Sequence, residues 1–166
     1  MNKAIFFDRD GVLNRELGDY VTKIEDFELL PDAVECIQIA NQHGFLVFVI
    51  TNQGGIDKQL YTIDELHTFH DVLLNACKAK GAVIQEIFFC SHHPLNGNCI
   101  CRKPDSVMLE KAIAKYNIDI NRSIMLGDTP RDMEAAEKVN VKGVLVQPNT
   151  DKISLLIKEI HRIQDI

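Results

Sequence analysis

Five short apolar runs punctuate the chain: AIFF (4–7), FLVFVI (45–50), VIQEIFF (83–89), SIML (123–126) and GVLV (143–146). Each has strand length and is rich in β-branched or aromatic residues, so each predicts a strand. Between them, apolar positions fall at helical spacing. Val34, Ile37 and Ala40 follow Pro31-Asp32 and predict a helix that stops at Gly44. Thr62, with Glu65 three residues on, has the form of a capping box. It opens a helix with Leu66, Phe69, Leu73 and Ala76 as its stripe and Gly81 at its end. Val107, Met108, Leu109, Ala112 and Ile113 predict a third helix after Pro104. Met133, Ala135 and Ala136 predict a fourth from Pro130, and Ile153, Leu156, Ile157 and Ile160 a last one over 151–164.

Strands alternating with helices predict an α/β fold, a Rossmann-like parallel sheet with helices on both faces. The sequence carries no repeat, low-complexity tract or linker, so residues 1–166 read as one domain. No segment is long enough for a separate cap domain. Two irregular stretches, 14–30 and 90–103, remain, and long structured loops in compact domains are often functional.

Composition narrows the function classes. A hydrophobic share of 46% supports an ordinary core. The net charge of −6 argues against a general nucleic-acid binder. The first apolar run is too short for a signal peptide, and no stretch approaches the ~20 apolar residues of a membrane span. A cytoplasmic, monomeric enzyme with a small-molecule substrate is the default expectation. Cys36 and Cys77 lie on apolar helix faces and read as core.

The polar clusters then fall in a telling place. Asp8-Arg9-Asp10-Gly11 follows the first strand, Thr51-Asn52-Gln53-Gly54-Gly55 the second, Arg102-Lys103-Pro104 the third, and Gly127-Asp128-Thr129-Pro130-Arg131-Asp132 the fourth. Open α/β sheets bind ligands beyond the carboxyl ends of their strands. One site would therefore crowd Asp8, Asp10, Asp128 and Asp132, which repel unless a cation neutralises them. Hard oxygen ligands in small number favour Mg²⁺, which also binds phosphate oxygens. Lys103 and Arg102 add charge for a phosphoryl group, and Thr51 a hydroxyl. A carboxylate nucleophile, a metal and a lysine together describe phosphoryl transfer. Taken singly, each motif reads as well as a turn or a helix cap.

Cys90, Cys99 and Cys101, with His92 and His93 between them, suit a tetrahedral Zn²⁺. Three thiolates and one imidazole leave no open position, so such a site is structural and folds the loop around it. Spacing alone allows either histidine.

All four strand-end motifs, in this order, resemble the haloacid dehalogenase superfamily. The resemblance implies that Asp8 attacks phosphorus and that Asp10 acts as acid, then base. It implies that Asp8, the Asp10 main-chain carbonyl and Asp128 hold Mg²⁺, that Asp132 supports them, and that Thr51, Asn52 and Lys103 bind the phosphoryl group. The segment Cys90-Ser-His92 … Cys99-Ile-Cys101-Arg102-Lys103-Pro104 resembles the histidinol-phosphate and heptose-1,7-bisphosphate phosphatase branch. That likeness makes Cys90, His92, Cys99 and Cys101 the zinc ligands. Asp8-Arg9-Asp10-Gly11-Val12-Leu13-Asn14, Gly18-Asp19-Tyr20-Val21 and Ile24-Glu25-Asp26-Phe27-Glu28 look like the heptose type, and imply that Asn14, Asp19 and Tyr20 contact substrate. The gap from His92 to Cys99 is short, nearer the histidinol-phosphate type. Thr129 stands where the heptose enzymes usually carry lysine.

Three rivals share parts of this pattern. A receiver domain also uses an aspartate phosphoacceptor, but lacks an acid two residues on. A zinc-loop interaction module would not need Asp8, Asp10, Thr51, Lys103 and Asp128 together. A polynucleotide 3′-phosphatase shares the general motifs but fits poorly with the acidic balance and the metal loop.

Overall fold

The structure is a computed structural model, and it describes residues 1–164. Five parallel strands form one sheet: β1 (Ala4–Phe7), β2 (Leu46–Asn52), β3 (Glu86–Cys90), β4 (Ile124–Gly127) and β5 (Lys142–Leu145). Their order across the sheet is β3-β2-β1-β4-β5. Helices α1 (Ala33–Gln42), α2 (Ile63–Ala79), α3 (Val107–Tyr116), α4 (Pro130–Lys138) and α5 (Ile153–Gln164) cross between strands or close the chain.

Alternation along each inner strand divides the core. Ile5, Phe7, Val47, Val49, Ile124 and Leu126 face one layer, which Ile37 of α1 and Leu156 and Ile160 of α5 complete. Ala4, Phe6, Phe48, Ile50 and Met125 face the other, with Leu109 of α3 and Ala135 of α4. Burial on both faces explains why these strands read as unbroken apolar runs. Cys36 and Cys77 are buried in the first layer.

The predicted capping box forms: Thr62 Oγ1 accepts from Glu65 N at 3.2 Å, and Glu65 Oε2 accepts from Thr62 N at 2.7 Å. The third strand differs from the sequence expectation, starting at Glu86 rather than 83. Val83 N donates to the Asn41 side chain, and the Gln85 side chain accepts from Val47 N, so polar groups replace regular pairing there.

β1 sits where the chain's crossovers reverse direction, with β2 on one side and β4 on the other. Such a switch point opens a crevice at the carboxyl ends of the strands. The 14–30 loop lies over it, held by its own small core. Phe27 stacks on Phe69 of α2 at 5.4 Å between ring centroids, and Val21, Tyr61 and Leu66 close around them.

Candidate active site

Asp8 is the first residue past β1, and Lys103 reaches it from the loop after β3. The Lys103 ammonium is buried 2.8 Å from Asp8 Oδ1 and 2.6 Å from Asp132 Oδ1, and it donates to the Ile50 carbonyl at 2.6 Å. Burial alone would lower this lysine, but Asp8 and Asp132 outweigh it and raise it.

Asp132 stands in the first turn of α4. Its Oδ2 accepts from Thr129 N at 3.0 Å and from Thr129 Oγ1 at 2.7 Å. The glycines of this edge are there for space. A Cβ on Gly127 would lie 2.3 Å from Asp132 Cβ, and one on Gly11 2.3 Å from Asp128 Oδ2. Gly11 also has φ +80°, a conformation that costs an L side chain strain.

Carboxylate oxygens of Asp8, Asp128 and Asp132 all lie within 4.8 Å of one another. Burial first, then the charges of Asp132 and Asp10, push the Asp8 carboxyl up to about 7 against the pull of Lys103. Burial and Asp132 push Asp128 up to about 6. Asp128 Oδ1 is buried with no hydrogen-bond partner among the described residues. Crowded hard oxygens, two raised carboxyls and one orphaned acceptor fit a small divalent cation.

Asp10 is in a different state. Burial would raise its carboxyl, but Arg9 and hydrogen bonds from Arg9, Asn14 and Gln53 hold it below the ordinary range. Arg9 Nη2 donates to Asp10 Oδ1 at 2.8 Å, Asn14 Nδ2 to the same oxygen at 2.9 Å, and Gln53 Nε2 to Oδ2 at 2.8 Å. Asn14 was expected to touch substrate. It is instead fully buried beneath Asp10: its amide nitrogen donates to Asp10 and to the Arg15 carbonyl, and its Oδ1 is buried with no partner among the described residues. Thr51 is buried too, and its hydroxyl accepts from Gln53. Asn52 grips the backbone of Lys103 from both ends of its amide, at 2.9 and 3.0 Å. Arg9, Gln53 and Tyr61 were not singled out by sequence. A cation between two acids was a signal for Arg9, but nothing local marks Tyr61, whose hydroxyl donates to Gln53 at 2.7 Å.

Above these groups opens a cavity of about 450 Å³. Asp19 and Tyr20 line it from the 14–30 loop, Arg102 and His93 from the 90–103 loop, and Arg131 from α4.

The 90–103 loop folds on its own cluster. Ligand atoms of Cys90, His92, Cys99 and Cys101 lie within 4.8 Å of one another. His92 Nδ1 is 3.6 Å from Cys90 Sγ and 3.3 Å from Cys101 Sγ, and the sulfurs are 3.1–3.8 Å apart. Zinc bonded at ~2.3 Å to thiolates at tetrahedral corners needs sulfurs about 3.8 Å apart, so the four residues could hold that ion. Against burial, which raises it, backbone N–H groups of Arg102 and Cys101 lower the Cys99 thiol, whereas burial and the Cys101 thiol raise Cys90. His93 faces away. Its backbone N donates to Asp57 Oδ2 at 2.8 Å, and its Nδ1 accepts from Leu95 N.

Fold and site together define a hydrolase of the haloacid dehalogenase type on a parallel sheet. Residues 100–165 match the HAD-hydrolase-like family model. The D-glycero-α-D-manno-heptose-1,7-bisphosphate 7-phosphatase of Photorhabdus laumondii is 39% identical, over 84% of this chain and 79% of that protein. The D-glycero-β-D-manno-heptose-1,7-bisphosphate 7-phosphatase of Neisseria meningitidis serogroup A is 32% identical, over 92% and 81%. Among solved structures, the D,D-heptose 1,7-bisphosphate phosphatase of B. bronchiseptica, complexed with magnesium and phosphate, superposes with a TM-score of 0.83. It is 30% identical, over 95% of this chain and 86% of that one. The chain belongs to the heptose-1,7-bisphosphate 7-phosphatase family, and it is a phosphatase. Among the described residues, no helix is long and apolar enough to cross a membrane.

Proposed function

We propose that this chain hydrolyses D-glycero-D-manno-heptose 1,7-bisphosphate at the 7-phosphate, through an aspartyl-phosphate on Asp8. What supports this most directly is Asp8 itself: a buried carboxylate at the switch point, 2.8 Å from a buried ammonium and beside the unpaired Asp128. A carboxylate oxygen of Asp8 attacks phosphorus, and the bond from phosphorus to the sugar oxygen breaks. Lys103 balances the charge of the phosphoryl oxygens and orients Asp8. Asp10 serves the proton. Arg9, Asn14 and Gln53 hold it as the base, so it relays to the leaving oxygen the proton that a monoanionic ester carries in. Asp10 then takes a proton from the water that attacks phosphorus, which frees Asp8 and releases phosphate.

Mg²⁺ held by Asp8, the Asp10 main-chain carbonyl and Asp128 would neutralise the crowded acids and the phosphoryl charge. Zn²⁺ on Cys90, His92, Cys99 and Cys101 would fix the loop that delivers Arg102 and Lys103. Both would serve one catalytic domain in the cytoplasm, where unbridged thiols persist.

The test is phosphate release, with Mg²⁺, from heptose 1,7-bisphosphate, histidinol phosphate and a 3′-phosphorylated oligonucleotide. The bisphosphate should be preferred in kcat/KM by about tenfold or more, roughly 1.4 kcal/mol of discrimination. Preference for either other ester would refute the substrate assignment.

A further inference from the structure

We propose that Arg131 binds the second, non-reacting phosphate of the substrate and so makes the site select a bisphosphate over a monophosphate. This rests on the heptose-bisphosphate reading above. That substrate carries two anionic phosphate groups. One phosphoryl group would use Asp8 and Lys103. The other needs a cation elsewhere on the cavity wall, because an unpaired phosphate held against a protein surface loses hydration without return.

The cavity offers three guanidinium groups, from Arg9, Arg102 and Arg131. Arg9 is 2% exposed: its Nη2 is held by Asp10 at 2.8 Å, and its Nε and Nη1, although unpartnered among the described residues, are buried. Arg102 gives Nη1 to the His92 carbonyl at 3.1 Å. Arg131 is exposed, and no hydrogen bond or ion pair of its side chain occurs among the described residues. It also borders a neighbouring recess of about 200 Å³ between α4 and the metal loop, which Arg102 shares. Two arginines thus meet where the first turn of α4 faces the loop.

Thr129 gives the reason for the position. Its hydroxyl is taken by Asp132 at 2.7 Å, so residue 129 brings neither charge nor a free donor to the cavity. The nearest cation of the same turn is two residues on, at Arg131. A guanidinium suits the task, since its planar fork meets two phosphate oxygens at once.

The experiment compares kcat/KM on heptose 1,7-bisphosphate with that on heptose 7-phosphate, for the wild type, Arg131→Ala and Arg131→Lys. Both esters present the same reacting phosphoryl group. In Arg131→Ala the bisphosphate-to-monophosphate ratio should fall about tenfold or more, through KM. Arg131→Lys should recover part of it, and added salt should shrink the wild-type ratio. A ratio within twofold of wild type in Arg131→Ala overturns the proposal while leaving the substrate reading intact. A wild type that releases no phosphate from the bisphosphate overturns the substrate reading, and this inference with it.

Discussion

The Lys103 ammonium lies 2.8 Å from the Asp8 carboxylate, and both are buried. Lys103 has two further oxygen partners, Asp132 and the Ile50 carbonyl. Asp8→Asn therefore removes the nucleophile without stranding the lysine. Turnover should fall at least about a thousandfold while the melting temperature changes by a few degrees at most. Lys103→Met should behave otherwise. It leaves two buried carboxylates without their cation and should cost stability of about 3–5 kcal/mol. Single-turnover assays and thermal melts on both variants read the contrast. Wild-type rates in Asp8→Asn would eliminate the covalent mechanism.

Gln53 joins three groups that sequence leaves separate. Its amide nitrogen donates to Asp10 Oδ2 and Thr51 Oγ1, both at 2.8 Å, and its carbonyl accepts from Tyr61. A carboxylate can only accept, so Asp10 fixes which way the amide faces. Gln53→Leu should lower kcat about tenfold by releasing Asp10, with KM little changed. Tyr61→Phe should cost about 1 kcal/mol in stability and less in rate, because it leaves the bond to Asp10 in place. Steady-state kinetics decide the point. An unchanged kcat in Gln53→Leu would show that Asp10 is positioned without it.

Much of this was legible from sequence, for a physical reason. Strands buried on both faces write themselves as apolar runs, and the Thr62–Glu65 box marks the start of α2. Parallel topology then sends every strand end to one edge, so the meeting of Asp8, Asp128 and Asp132 follows from order alone. What did not follow is which side chains pair within that edge. Asn14 looked like a substrate contact from its place beyond the Asp8 motif, yet it lies beneath Asp10, because the turn after β1 folds it inward. Gln53 and Tyr61 meet through packing of the 54–61 segment under the 14–30 loop, and no local pattern encodes that. Spacing leaves His92 and His93 open and the family likeness chooses His92; the fold supplies the geometric reason. Asp57, 36 residues away, holds the backbone that turns His93 aside.

Zinc removal tests the loop. Cys101 is followed at once by Arg102 and Lys103, so freeing Cys101 loosens the chain that carries the lysine to Asp8. Metal analysis should find about one zinc per chain, and Cys101→Ser should lose it. Loss of a few kcal/mol would lower the melting temperature by roughly 5–10 °C in a chain of this size. Activity should fall about 10- to 100-fold, as when outer supports of a site are removed. A Cys101→Ser protein that melts and turns over like wild type would refute the structural role of the metal.

His70 gives the fold an acid-sensitive point outside the ligand sets of both metal sites. It sits on α2, 6% exposed, packed edge-on to the Phe89 ring, and its Nε2 has no partner among the described residues. Burial, with the nearby charges of Arg9 and His67, lowers it to about 3, and Asp10 opposes this only weakly. An unfolded histidine titrates near 6.5. Between about 3 and 6.5 the unfolded chain therefore binds a proton that the native chain refuses, so stability rises with pH across that window and is lost as pH falls. From pH 7 to pH 4.5 the single group should remove about 2–3 kcal/mol. His70→Leu keeps an apolar side chain in place and abolishes the titration. Urea unfolding at a series of pH values should show a flatter acid limb in the variant, by that amount. Parallel curves for the two proteins would show that His70 keeps its proton when folded and that other groups set the acid limit.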